Sequence, residues 1–140
     1  MFGFVKSKKK PTQAKILVVD DEPDYVSTIQ CRLKWCHYEV TTAANGQKGL
    51  EKAVNEKPDL ILLDTSMPVM NGHEMLERLR KHPDLKDIPV IMVTALCESQ
   101  DIATASSFGI ADYVAKPFDF TELMEKIANA LENRKTWSNV

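Results

Sequence analysis

The stretch Lys15-Ile16-Leu17-Val18-Val19-Asp20-Asp21-Glu22 constrains this chain more than any other, because an apolar run stops abruptly on three acids. Ile16 to Val19 are aliphatic and mostly β-branched with no polar alternation, which predicts a strand buried on both faces. Such strands belong to parallel sheets covered by helices on either side. Three further runs repeat the pattern: Leu60-Ile61-Leu62-Leu63 stops on Asp64, Pro89-Val90-Ile91-Met92-Val93 on Thr94, and Asp112-Tyr113-Val114-Ala115 on Lys116-Pro117. Parallel strands aim their C-terminal ends at one edge of the sheet, the edge where open α/β sheets bind ligands. Asp20, Asp21, Asp64, Thr94 and Lys116 are therefore expected to meet in one crevice. Crowded carboxylates repel one another and favour a hard divalent cation. With a hydroxyl and an ammonium beside them, they suit a metal and a phosphoryl group bound together.

Helical patterns separate the strands. Asp24 is placed to cap a helix whose apolar stripe is Val26, Ile29 and Leu33. A short strand, Glu39 to Ala43, follows with Val40 as its clearest core residue, and Asn45-Gly46 opens a helix carrying Leu50, Ala53 and Val54. Beyond Asp64, Pro68 and Asn71-Gly72 mark a loop over residues 65–72, then a helix with Met75, Leu76 and Leu79. A weaker helix, rich in Ala, Ser and Thr, runs from Glu98 to Ser107 and ends at Gly109, where a left-handed cap fits. The last helix keeps its period through Leu123, Ile127, Ala130 and Leu131, from Thr121 to about Asn133. Five strands alternating with five helices, joined by right-handed crossovers, predict an α/β, doubly wound, flavodoxin-like parallel sheet of order 2-1-3-4-5 in a single domain.

With 140 residues the chain has room for one real core. Its first ten residues hold four of the 18 basic side chains and none of the 20 acidic ones, so the body is more acidic than the formal charge of −2 suggests. An acidic body argues against a nucleic-acid partner. The expected organisation is a flexible basic leader over 1–14, a folded domain over 15–133 and a tail over 134–140. No apolar run is long enough for a membrane span and no signal peptide is visible, so the expected location is the cytoplasm. Cys31, Cys36 and Cys97 lack ligand or disulfide spacing and are expected to be small buried or half-buried residues.

From about Lys15 to Asn133, the chain carries in order Asp20-Asp21, Asp64-Thr65-Ser66-Met67-Pro68, Asn71-Gly72, Thr94-Ala95 and Lys116-Pro117-Phe118. Each is weak alone; together they resemble the receiver domain of two-component response regulators. The resemblance implies that Asp64 is the phosphoacceptor, consistent with a carboxylate's capacity to attack phosphorus and form an acyl phosphate. It implies Mg²⁺ as cofactor, with Mn²⁺ able to replace it. Asp21, Asp64 and the Ser66 backbone carbonyl would ligate directly, and Asp20 through water. Lys116, joined to Pro117 by a cis peptide bond, would pair with Asp64 and then with a phosphoryl oxygen. Thr94 would bond the phosphoryl group, and Tyr113 would be the aromatic that turns inward when the threonine moves. Glu22 is expected to be a solvated acid at a helix start or a minor helper.

By the same resemblance the donor is a sensor histidine kinase or a histidine phosphotransfer protein. The output is a downstream protein effector that reads the face built by the fourth helix, fifth strand and fifth helix. The expected protein is a stand-alone receiver that catalyses only its own phosphorylation and dephosphorylation and turns over no external substrate. Three rivals fit less well. A haloacid-dehalogenase-like phosphatase using an aspartyl phosphate would need D-x-D after the first strand, and a flavin-binding module would need a Ser/Thr/Gly-rich loop where Asp20-Asp21-Glu22-Pro23 would repel phosphate. A degenerate receiver serving as a scaffold would have lost site positions that are intact here.

Overall fold

The computed structural model describes residues 14–95 and 99–138, with the side chains of 99–101 and 135–138 left aside. Five strands alternate with five helices: β1 (Lys15–Val19), α1 (Pro23–Trp35), β2 (Glu39–Ala43), α2 (Gly46–Glu56), β3 (Leu60–Leu63), α3 (Gly72–Lys81), β4 (Val90–Thr94), α4 (Ser99–Ser107), β5 (Asp112–Ala115) and α5 (Phe120–Ser138). The strands form one parallel sheet in the order β2-β1-β3-β4-β5, the doubly wound order expected from the sequence. Alternate strand residues face opposite helical layers. Leu17, Val19, Ile61, Leu63, Val90 and Met92 share one core with α2, α3 and Ala105 of α4, while Ile16, Val18, Leu60, Leu62, Ile91, Val93 and Val114 share the other with α1 and α5. Two apolar faces explain why the strand runs show no polar alternation.

The register carries the site. Val19 lies opposite Leu63, Leu63 opposite Met92, and Thr94 opposite Ala115. Ladder hydrogen bonds run one residue past the strands: the Asp20 amide donates to the Ala43 carbonyl (3.0 Å), that of Asp64 to Val19 (3.0 Å) and that of Lys116 to Thr94 (2.9 Å). Asp20, Asp64 and Lys116 thus start from fixed backbone rather than from loose loop.

Several details differ from the sequence reading. Asp24 does not cap α1; the N-cap position falls on Glu22 without a side-chain cap, Pro23 opens the first turn, and Asp24 lies inside that turn. Val40 is only half-buried, because β2 is an edge strand with a single neighbour, and Ala43 is its buried residue. In α2 the buried positions are Gly46, Gly49 and Ala53, which leaves Val54 on the flank of the stripe and exposed. Cys31 and Cys36 are exposed on and just after α1, not tucked into the core, and Cys97 lies outside the described residues. So do Glu98, the expected start of the fourth helix, and residues 1–13 of the expected leader. α5 runs on to Ser138 rather than ending near Asn133. Arg134 holds this extension to the loop before β3, its Nη1 donating to the Asp59 carbonyl (3.0 Å) and to Asp59 Oδ1 (2.8 Å).

Candidate functional site

At the C-terminal edge of the sheet, Asp20, Asp21 and Asp64 each present a carboxylate oxygen, all within 4.8 Å of one another. They are the one such group of potential metal ligands among the described residues. Asp20 and Asp64 are buried at the ends of β1 and β3, while Asp21 is exposed on the turn into α1. Burial, then the charge of Asp20, raises the pKa of Asp64 above the usual carboxylate range, against the opposing pull of Lys116, the Ser66 amide and the Thr94 hydroxyl. Both causes disfavour the negative charge on Asp64, and a nearby cation would offset them.

The donor set fits a divalent hard ion, which takes oxygen ligands and retains water. Asp20 is already engaged on both oxygens: Oδ1 accepts the Glu22 amide (2.9 Å) and Oδ2 accepts Lys116 Nζ (2.7 Å). This suits an outer position for Asp20, with Asp21 and Asp64 nearer an ion. Ser66 is exposed beside Asp64 and its amide donates to the Asp64 carboxylate.

Lys116 enters from the end of β5 through a cis Lys116–Pro117 bond, as expected. Its ammonium is nearly enclosed, with the side chain 4 % exposed. The expected ion pair with Asp64 is present, and two further acids lie nearer. The nearest acids are Asp20 and Glu22, each at 2.7 Å, and Asp64 stands at 3.7 Å. Burial works against the charge, yet the hydrogen bonds to Asp20 and Glu22 and the charges of Asp20 and Asp64 overcome it and push the lysine's pKa upward. The Tyr25 ring closes the fourth side, its centroid 4.4 Å from Nζ.

Thr94 is fully buried at the end of β4, and its Oγ1 lies 2.6 Å from Thr65 Oγ1. Thr94 also supports the Asp64 carboxylate, so Thr65, Thr94 and Asp64 form a hydrogen-bonded chain. Thr65 is buried, which a loop segment punctuated by Pro68 and Asn71-Gly72 does not disclose. Tyr113 is half-buried on β5 against the core shared with α3 and α4, and its carbonyl accepts Lys126 Nζ at 2.8 Å.

The loop between β3 and α3 is fastened at both ends. The Gly72 amide donates to the Thr65 carbonyl (3.0 Å), and a Cβ at Gly72 would strike the Asp64 carbonyl oxygen and lie 2.8 Å from Thr65 Cα. Only glycine permits that approach. Asn71 and Glu74 complete a reciprocal capping box, so Asn71 starts α3 as well as punctuating the loop.

Known proteins resemble this chain in sequence and fold. The response regulator receiver domain family matches residues 16–128. The DNA-binding dual master transcriptional regulator RpaA of Synechocystis sp. is 38 % identical over 113 residues, 81 % of this chain and 47 % of that protein. The chain spans about half the length of the curated relatives it matches. Among solved structures, a CheY-like response regulator receiver domain protein from Methanospirillum hungatei JF-1 superposes with a TM-score of 0.84 at 31 % identity, covering 89 % of this chain and 98 % of that one. The receiver domain of the sensor histidine kinase PA1611 from Pseudomonas aeruginosa PAO1, solved with a magnesium ion coordinated in its active-site cleft, superposes with a TM-score of 0.80 at 29 % identity, covering 86 % and 99 %.

Proposed function

This chain belongs to the response regulator receiver domain family, and from that premise we propose that it is a phosphorylation-controlled switch whose phosphoacceptor is Asp64. The observation that carries the reading is the setting of Asp64: a buried carboxylate with a raised pKa, flanked by Lys116 and Thr94 and joined by two further aspartates. Asp64 attacks the phosphorus of a phosphohistidine on a histidine kinase or phosphotransfer protein. The new O–P bond forms as the P–N bond breaks, and the imidazole leaves. Lys116 neutralises charge gathering on the transferred oxygens, and the Thr94 hydroxyl donates to them once they arrive. Asp21, Asp64 and the Ser66 carbonyl would hold Mg²⁺ or Mn²⁺, with Asp20 in an outer place, and the ion supplies positive charge against the phosphoryl group.

The domain then acts on nothing but itself, gaining the phosphoryl group and losing it to water. Its output is a change in the face formed by α4, β5 and α5, drawn by Thr94 and followed by Tyr113. An effector reads that face, whether as a separate protein or as a segment joined to this one. Among the described residues no helix is long and apolar enough to cross a membrane. The donor and effector of this reading are met in the cytoplasm.

Incubation with acetyl phosphate and Mg²⁺, followed by intact-protein mass measurement, tests the reading. Wild type should gain one hydroxylamine-labile phosphoryl group and Asp64→Asn none. Absence of labelling in wild type would leave a scaffold, and continuous release of phosphate from small phosphomonoesters would indicate a phosphatase.

A further inference from the structure

Lys116 pairs with Asp64 but sits closer to Asp20 and Glu22. Its ammonium is 2.7 Å from Asp20 Oδ2 and from Glu22 Oε1 and 3.7 Å from Asp64 Oδ2, and the Tyr25 ring centroid lies 4.4 Å away. Glu22 and Tyr25 flank Pro23-Asp24 at the start of α1, so both are placed by the first turn of that helix. The Glu22 side chain is 54 % exposed, in contrast to the enclosed lysine it holds. The Tyr25 ring in turn leans on Phe118, 5.8 Å between centroids, just past Lys116-Pro117. The turn after β1 and the loop after β5 are thereby joined through one ammonium.

We propose that Glu22, with Tyr25 beside it, is a resting latch for Lys116, and that a phosphoryl group on Asp64 draws the ammonium off Glu22. The inference rests on the reading of Asp64 as phosphoacceptor. Glu22 is then a positioning residue: it touches neither the phosphoryl group nor the acceptor, but sets how readily Lys116 becomes available to them. A solvated acid at this position would act by charge alone. Glu22→Asp separates the two cases, because it keeps the charge and withdraws the carboxylate from Lys116 by one methylene. Glu22→Gln keeps the reach and removes the charge.

The first measurement is affinity for beryllofluoride, an acyl-phosphate mimic, in saturating Mg²⁺. The latch predicts that Glu22→Asp and Glu22→Gln both bind it more tightly, by about two- to fivefold, the range open to an ion pair with one exposed partner. Tighter binding by Glu22→Gln alone, or by neither variant, overturns the proposal. The second measurement needs no mimic. In the unmodified protein the Lys116 ammonium should give a protected ¹H–¹⁵N signal that broadens in Glu22→Asp and in Tyr25→Leu and survives in Tyr25→Phe. Unchanged Glu22→Asp affinity refutes the latch even if that signal broadens. Should wild type bind no beryllofluoride, the reading of Asp64 falls, and the ammonium signal still decides whether Glu22 holds the lysine.

Discussion

The helices that follow the two halves of the site are held in opposite ways. α3, after the Asp64 loop, has a reciprocal cap at its start and buries Gly72, Met75, Leu76 and Leu79. α4, after Thr94, buries only Ala105 among its described side chains, while Ile102, Ala103, Thr104, Ser106 and Ser107 are exposed. α4 is nevertheless anchored at its far end. Gly109 turns the chain with φ 79°, and the half-buried Arg80 of α3 donates to the carbonyls of Phe108 (2.9 Å) and Gly109 (2.8 Å) as well as Lys86 (3.1 Å) and Ile88 (3.0 Å). Burial lowers the pKa of that guanidinium, partly countered by Asp87. Elements with few buried apolar contacts are the ones that open and shift at low free energy. The contrast therefore assigns a fixed wall to the acceptor side and the moving part to the threonine side.

Side-chain truncation gives the largest test of this contrast. Leu76→Ala in α3 should destabilise the fold by about 2–5 kcal/mol, whereas Ile102→Ala in α4 should stay within about 0.5 kcal/mol, both from urea unfolding midpoints. Equal losses would break the comparison. A middle effect is expected at the anchor. Arg80→Met removes the donor to four carbonyls and should lower stability by about 1–3 kcal/mol. Amide exchange should accelerate more across 99–110 than across α3, and uniform acceleration would show that Arg80 serves the whole domain instead of the end of α4.

The smallest effect concerns charge on the fixed side. Asp64 has a folded-state pKa above its unfolded value, so its ionised form opposes folding, and that penalty grows as pH rises through the folded pKa. Asp64→Asn should therefore melt slightly higher than wild type at pH 7. The gain should disappear toward about pH 3, where the wild-type carboxyl is protonated in both states. A gain that persists at low pH would mean that packing, not charge, sets it.

Strand positions, sheet order and the residues at the strand ends were all readable from the chain. A strand buried on both faces must be an unbroken apolar run, and the residue that ends it is forced to the sheet's edge. Asp20, Asp64 and Thr94 each follow or end such a run, whereas Lys116 follows the partly buried edge strand β5. Helix interiors were read less well. Val40 and Val54 have suitable periodicity but lie on an edge strand and on a helix flank, and Asp24 has suitable cap chemistry but sits two residues past the N-cap position.

What the chain could not disclose is how those site groups choose among partners. That Lys116 lies nearer Asp20 and Glu22 than Asp64, that the Thr65 and Thr94 hydroxyls share a hydrogen bond, and that Arg80 closes the end of α4 all depend on distances between residues remote in sequence. Runs and periods are properties of neighbouring residues and survive in the unfolded chain as pattern. An ammonium's choice between three carboxylates depends on burial and reach, and those exist only once the sheet and helices have packed.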